Sequence, residues 1–355
     1  MPKFLPWEYT EDGDRIRVAS GPTPNPKKLT GSRLGAVVGL NKWKSPFEAW
    51  CEACRVGEQP FEGNKFTDAG NVLEPKLIEW CKNEISPYIY TPEEFFGVTD
   101  AKQHTGYDFF SQTRVFGGMW DAIVLDGPLG TGKPIAFIEA KSSSRPQDWV
   151  DGVPDSYAVQ GLEYCVLGEV ARVFFPVAIL ESDDYDDPAS VECTDDNTFL
   201  YECNIDEWRA ADGRDIITIL NEADEWWVRH VVGNISPTFD PKRDKDILAI
   251  IRKTEVKTEP LEALAKEAAV LEAKIELLKE KNEIPALEKK LEGLKKELKS
   301  GIIKQFSPND ETVTAYGWKV KKTSTETVDK EAPKADGLTQ YIKITDSYRL
   351  TKDKE

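Results

Sequence analysis

No apolar run in this sequence approaches the roughly 18 residues that a membrane span requires. Its opening stretch, MPKFLPWEYTEDGDR, lacks the apolar core of a cleavable signal peptide. Both absences point to a cytoplasmic protein with no membrane partner. Cysteine is scarce: six in 355 residues are too few for a disulfide scaffold, and in a reducing compartment they stay as thiols. Cys51 and Cys54 do form a C-x-x-C, but it lies in FEAWCEACRV, which reads as an amphipathic helix, and no second pair follows at ligand spacing. Packed thiols are therefore expected there rather than a metal or cluster site.

Positive charge is also in short supply. Lys and Arg number 46 against 63 Asp and Glu, a net charge of −17. Residues 251–355 are nearly balanced, with 22 basic and 20 acidic side chains, so the first 250 residues carry −19. Such a chain is not built to coat nucleic acid through bulk charge, and any contact of that kind must be local. One tract reverses the trend. From Gly21 to Phe47 there is no acidic residue, whereas Lys27, Lys28, Arg33, Lys42 and Lys44 are all basic. This is the candidate phosphate-binding tract, and Trp43, between Lys42 and Lys44, could add base stacking to phosphate attraction.

The length suits one domain of about 230–250 residues with an appendage. We expect an irregular segment over residues 1–27, an α/β domain over 28–245, a heptad-bearing arm over 246–300 and a small strand-containing tail over 301–355. LTGSRLGAVVGL reads as a helix capped by Thr30 or Ser32, and KSPFEAW as a capping box of Ser45 and Glu48 with Pro46 at the first helical position. GNVLEPKLIEWC is a short helix by the same criteria, and EISPYIYTPEEFFGVT looks extended. Residues 116–125 and 135–142 read as two strands, DSYAVQGLEYCVLG as a helix, ARVFFPVAIL and TFLYECNI as strands, and the segment through Trp226 and Trp227 as a helix. In the arm, Leu261, Leu264, Ala268, Leu271, Ile275 and Leu278 form one heptad block, and Ile284, Leu287, Leu291, Leu294 and Leu298 a second, out of phase across Asn282 and Pro285. A helical hairpin or kinked coiled coil is expected, either packed on its own protein or paired with another chain.

Two lysines compete for the chemistry in DAIVLDGPLGTGKPIAFIEAK. Lys133 nearly completes a phosphate-binding loop with Gly127 and Gly132, but Pro134 stands where such a loop needs Ser or Thr, and a strand follows instead of a helix. Its glycines have an ordinary role in a hairpin turn. Lys141 fares better. If the two strands pair antiparallel about Gly130, Asp121 faces Glu139, and Lys141 lies two residues on, on the same face. Two adjacent carboxylates repel unless a cation lies between them, and a hard divalent ion with oxygen ligands meets that need. The lysine can then act on a water or on a phosphate. Gln160 and Tyr164 add a Q-x-x-x-Y on one face of a helix, and Gly70 and Glu74 a G-x-x-x-E on another. His104, 17 residues before Asp121, is weighed as a metal ligand and set aside, and His230 is read as a packing or surface residue.

With these elements the chain resembles the PD-(D/E)XK nucleases, and among them the YqaJ-like viral recombinases related to phage lambda exonuclease. The resemblance covers about residues 28–240 and rests on GSRLGAVVGLNKWKSPFEAW, GNVLEP, WDAIVLDG, IEAKSS and WVDGVPDSYAVQ. It implies a restriction-endonuclease-like α/β core, a mixed central sheet flanked by helices, with a C-terminal helical or coiled-coil arm. It further implies Glu74, Asp121, Glu139 and the backbone carbonyl of Ala140 as ligands to one or two Mg²⁺ ions, with Mn²⁺ able to substitute. Lys141 becomes the catalytic lysine, Gln160 and Tyr164 its brace, and Ser32 a 5′-phosphate contact. Two departures stand out: Met119, Trp120, Asp121 and Ala122 replace the usual Ser-Pro-Asp-Gly, and no arginine precedes Thr30, Gly31 and Ser32.

The implied activity is digestion of linear double-stranded DNA, 5′ to 3′, to give single-stranded tails for phage-type homologous recombination. The implied partners are duplex DNA ends, a phage single-strand annealing protein and further copies of the chain, in the bacterial host cytoplasm if the protein is phage-encoded. An endonuclease or repair nuclease on the same fold is the first rival. A non-catalytic scaffold built on the heptads is the second.

Overall fold

The computed structural model describes residues 9–18, 25–56, 63–255, 258–277, 284–328 and 342–353. The chain divides into two units, residues 1–244 and 245–355.

The first unit opens with a hairpin, β1 (Tyr9–Asp12) and β2 (Arg15–Val18), paired antiparallel around Gly13, whose φ is 63°. This corrects the irregular start expected over 1–27, because Gly13-Asp14, the two residues between the strands, is itself a hairpin signal. Helix α1 (Ser32–Val37) starts from Gly31 with no side-chain cap, in place of the cap expected from Thr30 or Ser32. Helix α2 (Pro46–Ala53) carries the expected box: Ser45 Oγ accepts from the Glu48 amide, and the Glu48 carboxylate accepts from the Ser45 amide. Helix α3 (Lys65–Glu84) is much longer than GNVLEPKLIEWC suggested. It starts where Asn64 Oδ1 accepts from Phe66 N and Thr67 N, and it runs through Pro75. The stretch expected to be extended contains only a short strand, β3 (Ile89–Tyr90), before helix α4 (Pro92–Phe96). A second capping box, Thr91 with Glu94, starts α4, and Gly97 in the left-handed region ends it. A single turn, α5 (Ala101–His104), follows.

The sheet comes next: β4 (Ala122–Leu125), β5 (Pro134–Ile138) and β6 (Lys141–Ser143), then helix α6 (Asp155–Leu167), β7 (Arg172–Ile179), β8 (Thr198–Asn204) and helix α7 (Ile216–Trp226), which continues into a π turn through Val232. Strands β3, β4 and β5 pair antiparallel in sequence, β5 and β6 pair parallel with β7, and β8 pairs antiparallel with β7. The sheet is therefore mixed, as the resemblance implies. Helix α3 covers one face, where Ala69, Leu73 and Leu77 meet Ala178 and Leu180. Helix α6 covers the other so closely that a Cβ on Gly161 would lie 2.7 Å from the Phe175 ring.

One strand expected over 135–142 is in fact two. Ala136 faces Arg172 and Lys141 faces Val177, so the parallel register with β7 never slips; Glu139 N still donates to Phe174 O at 2.9 Å, yet residues 139 and 140 belong to neither strand. Opposite that gap is Pro176, which has no N–H to give. The proline thus opens the strand at the pair of residues that carries the acidic group and its neighbour.

In the second unit, α8 (Lys245–Ile251) and β9 (Lys253–Glu255) precede α9 (Glu259–Leu277) and α10 (Ile284–Ile303), and β10 (Thr312–Ala315), β11 (Trp318–Val328) and β12 (Ile342–Lys352) complete a sheet in the order β12-β11-β10-β9. Gly301, near the end of α10, lies against Leu261, at the start of α9, so the two heptad blocks form an antiparallel hairpin. Leu278 and Asn282 lie outside the described residues, and Pro285 sits in the first turn of α10, where a missing N–H costs nothing. The heptad residues Leu261, Ala268, Leu271, Leu294 and Leu298 are buried with Val313, Ala315, Trp318 and Val320 of the sheet. Arm and tail therefore share one core instead of forming the two separate segments expected over 246–300 and 301–355.

Candidate active site

The antiparallel register proposed for the lysine hairpin is the one found: Ala122 faces Ile138, Ile123 faces Phe137 and Val124 faces Ala136, with a shift only beyond Val124. The ladder stops at Ala122, and the Asp121 amide donates to Ile138 O at 3.1 Å, one residue short of the Glu139 expected opposite it. Its carboxylate accepts from the Ala140 amide at 2.8 Å, past the end of β4. What the structure shows of Ala140 is thus its N–H, directed at Asp121.

Glu139 is the centre of the site and only 1% exposed. Its Oε2 accepts from Lys141 Nζ at 2.7 Å and from Gln160 Nε2 at 2.9 Å. Its Oε1 is buried with no hydrogen-bond partner. Gln160 Nε2 also reaches the Tyr164 hydroxyl at 3.3 Å, so the Q-x-x-x-Y acts as one face of α6, as its spacing predicts. Lys141 Nζ stands 5.4 Å from the ring centroid of Tyr157, a residue that sequence reading missed. The signal was present, since Tyr157, Gln160 and Tyr164 recur at three and four residues. Gly118 lets Tyr164 close in: a Cβ there would lie 2.3 Å from its ring.

The electrostatics follow from burial. The Glu139 carboxyl is pushed up to about 8, first by burial and then by the Asp121 charge, against the pull of Lys141. Glu74, from α3, is pushed up to about 7 by burial and by Asp121, with Lys102 and Lys141 opposing. Burial also raises Asp121, although Lys141, the Ala140 amide and Lys102 hold it down. Burial alone would lower Lys141, but Glu139 and Asp121 carry it above its ordinary value. Three carboxyls raised by burial, two of them raised further by the Asp121 charge and one with an orphaned buried oxygen, form a hard-oxygen donor set that fits a divalent ion of the Mg²⁺ or Mn²⁺ kind. Among the described residues no three His, Cys, Asp or Glu side chains stand ready to grip a metal as they are.

The basic tract lies beside this centre but is largely neutralised by acids from elsewhere. Gly31 packs against the Gln160 amide, which places the start of α1 at the site; the Ser32 side chain lies outside the described side chains. Lys28 pairs with Asp108 and donates to Phe110 O at 3.0 Å. Arg33 donates to Lys28 O and Thr30 Oγ1, with Glu52 at 3.7 Å, and Lys44 pairs with Glu52 at 2.7 Å. Lys27 sits among these groups, its pKa lowered by burial and by Arg33. Trp43 differs, while Lys42 beside it faces Asp148 at 3.6 Å. Trp43 is 69% exposed, with Lys42 Nζ at 5.3 Å and the Arg145 guanidinium at 4.9 Å from its ring, on a groove of about 550 Å³ that also reaches Ser142, Tyr157 and Gln160. Sequence reading missed Arg145. It also missed Glu163, a fully buried carboxyl that accepts from the Gly117 amide on the far side of Tyr164.

The rejected candidates fall where expected. Lys133 closes a hairpin turn, its amide bonded to Asp126 Oδ1 at 2.7 Å, and a strand follows it. Cys51 and Cys54 are buried free thiols. His104 ends α5, and His230 is buried with Nδ1 at 2.8 Å from Ile235 O. No helix among the described residues is long and apolar enough to cross a membrane.

Comparison with known proteins adds the following. An uncharacterised protein of Mycoplasma genitalium is 24% identical over 250 residues, 59% of this chain and 83% of its own. The uncharacterised protein YqaJ of Bacillus subtilis is 24% identical over 280 residues, 77% of this chain and 74% of its own. The crystal structure of an alkaline exonuclease from Laribacter hongkongensis overlaps 69% of this chain and 94% of its own at 17% identity and a TM-score of 0.36, too low to bear on the fold. Residues 24–166 match the model of the YqaJ-like viral recombinase domain. Glu74, Asp121, Glu139, Lys141, Gln160 and Tyr164 all fall inside that match, so the part of the chain that builds the site is similar to the YqaJ-like viral recombinase domain.

Proposed function

We propose that the protein is a divalent-metal-dependent deoxyribonuclease that digests one strand of linear duplex DNA from its 5′ end and leaves a single-stranded tail for an annealing partner. The observation that carries this reading is Glu139: buried, with one oxygen held by Lys141 and Gln160 and the other without a partner. A buried carboxylate in that state is costly unless a cation or proton meets it. The family-model match over residues 24–166 supports the same reading.

Glu139, Asp121 and Glu74 would hold the ion, which when bound supplies a water of lowered pKa and neutralises charge on the scissile phosphate. Lys141 stays protonated between Glu139 and the Tyr157 ring, so its part is to orient the water and offset charge growing on the phosphate, not to take a proton. Gln160 fixes the Glu139 carboxylate and is itself held by the Tyr164 hydroxyl. Ser32, at the start of α1, and Lys27, in the segment before it, receive the 5′-phosphate, and Lys42 with Trp43 steadies the strand in the groove. In this reading the chain works as a homo-oligomer that encloses its duplex, which is how an acidic protein keeps hold of DNA.

Linear duplex, 5′-phosphorylated on one strand, tests this with Mg²⁺ or EDTA, for the wild type and for Lys141→Ala. Mg²⁺-dependent loss of the phosphorylated strand by the wild type alone is the expected result. Cleavage of closed circular duplex would favour an endonuclease, and no cleavage by folded, metal-loaded wild type would end the nuclease reading. A single monomeric species in sedimentation would end the oligomer.

A further inference from the structure

The second unit has a surface that the nuclease site does not use. Strands β11 and β12 pair over their whole length, with Lys321 opposite Arg349, Thr323 opposite Ser347 and Thr325 opposite Thr345. These side chains project from the face turned away from the helices, because the alternate positions Trp318 and Val320 are buried against α9 and α10. Lys319 belongs to the same face and pairs at 3.3 Å with Asp353. Lys321 and Arg349 are exposed, and among the described residues neither is joined to a carboxylate.

Like charges directly opposed across two strands destabilise a sheet, and this pair stands in a protein whose net charge is −17. The acids of β11 and β12 that could relieve it lie on the other face, where Asp346 pairs with Lys322 at 3.3 Å. The basic face carries no aromatic or aliphatic side chain among Lys319, Lys321, Thr323, Thr325, Thr345 and Arg349. It therefore has no platform for unpaired bases and no apolar core for a protein partner. Lysine, arginine and threonine hydroxyls are the groups that contact a sugar–phosphate backbone. We propose that this face of β11 and β12 is a second, sequence-independent DNA-binding surface that takes the phosphate backbone of duplex DNA. It rests on the nuclease reading only for the choice of DNA as the polyanion.

The test is binding of a blunt duplex by the full chain in EDTA, which prevents cutting, followed by anisotropy across a salt series. Lys321→Glu/Arg349→Glu is compared with Lys289→Glu/Lys296→Glu, which makes the same change in net charge on exposed positions of α10. Two lost phosphate contacts flatten the slope of log K against log salt by about 1.8, and the α10 variant keeps the wild-type slope. Lys321→Glu alone, which sets a carboxylate beside Arg349, raises the thermal midpoint while weakening binding, so a loss of binding cannot be put down to misfolding. Equal slopes for the two double variants, or no binding by the wild type, would overturn the proposal. Strand digestion by the same preparations in Mg²⁺ reports on the nuclease reading separately.

Discussion

Lys141 and Gln160 donate to the same oxygen of Glu139, at 2.7 and 2.9 Å, and leave the other oxygen without a partner. The two donors come from different elements, β6 and α6, so the carboxylate is fixed by the packing of helix on sheet. Removing Gln160 frees one of these restraints without touching the charge balance. Gln160→Ala is expected to lower kcat about 10–100-fold, the usual cost of losing a partner that orients a metal ligand, with KM for DNA little changed. Steady-state digestion of a labelled duplex checks this, and an unchanged kcat would remove Gln160 from the positioning role.

The raised carboxyls make a prediction about pH. Glu139 and Glu74 lie at about 8 and about 7 in the folded protein, above the roughly 4.3 of a free glutamate. The folded state therefore holds protons that the unfolded state has released. That contribution is complete below the unfolded value and is lost as pH rises through 7 and 8. Without metal, the thermal midpoint of the wild type should fall relative to Glu139→Gln between pH 5 and pH 9. Mg²⁺ should raise the wild-type midpoint more at pH 9 than at pH 5. Scanning calorimetry in EDTA and in Mg²⁺ would show both, and a wild-type midpoint that tracks Glu139→Gln at every pH would refute the electrostatic reading.

Gly118 sits at φ 148° with the Tyr164 ring where a side chain would be, whereas Gly130, at φ 89°, has open space around its missing Cβ. Alanine at either position strains the backbone, but only Gly118→Ala must also displace Tyr164 from its stack on Phe110 and from Gln160. Gly118→Ala should cost on the order of 2–5 kcal/mol from overpacking and strain together and lower activity with it. Gly130→Ala should cost about 1–3 kcal/mol and leave kcat alone. Denaturant midpoints and kcat for the two variants decide, and equal effects would mean that the close approach to Tyr164 is unimportant.

Local chemistry accounts for what the sequence shows of this site. The antiparallel pairing of β4 with β5, which brings Asp121 and Glu139 to one end of the hairpin, follows from the glycines of one turn and the alternation of two short strands, and Gln160 with Tyr164 from helical spacing. The break after Ile138 was hidden because its cause, Pro176, lies on a strand that pairs in parallel from across a helix. The same distance hid the acids that answer the basic tract: Asp108 on Lys28 and Glu52 on Lys44 are tertiary partners with no local signature. The helix at Thr91 was legible in principle, since Thr-Pro-Glu-Glu is a capping box, but its aromatic neighbours favoured an extended reading.

Trp43 remains exposed where its neighbours are engaged, and that contrast sets the last prediction. Asn41 Oδ1 accepts from the Trp43 amide at 2.8 Å and the Lys44 amide at 3.2 Å, which shapes the loop before any ligand arrives. The ring then stands at the groove edge between Lys42 and Arg145, suited to stack on a base while the cations meet phosphate. Stacking of one base is worth about 1–3 kcal/mol, so Trp43→Ala should weaken binding of a duplex with a frayed 5′ end about 10–100-fold in EDTA. Trp43→Phe should recover most of the loss, and neither change should shift the thermal midpoint, since the ring buries little against the protein. Equal binding by the wild type and Trp43→Ala would show that the groove holds its strand through phosphate contacts alone.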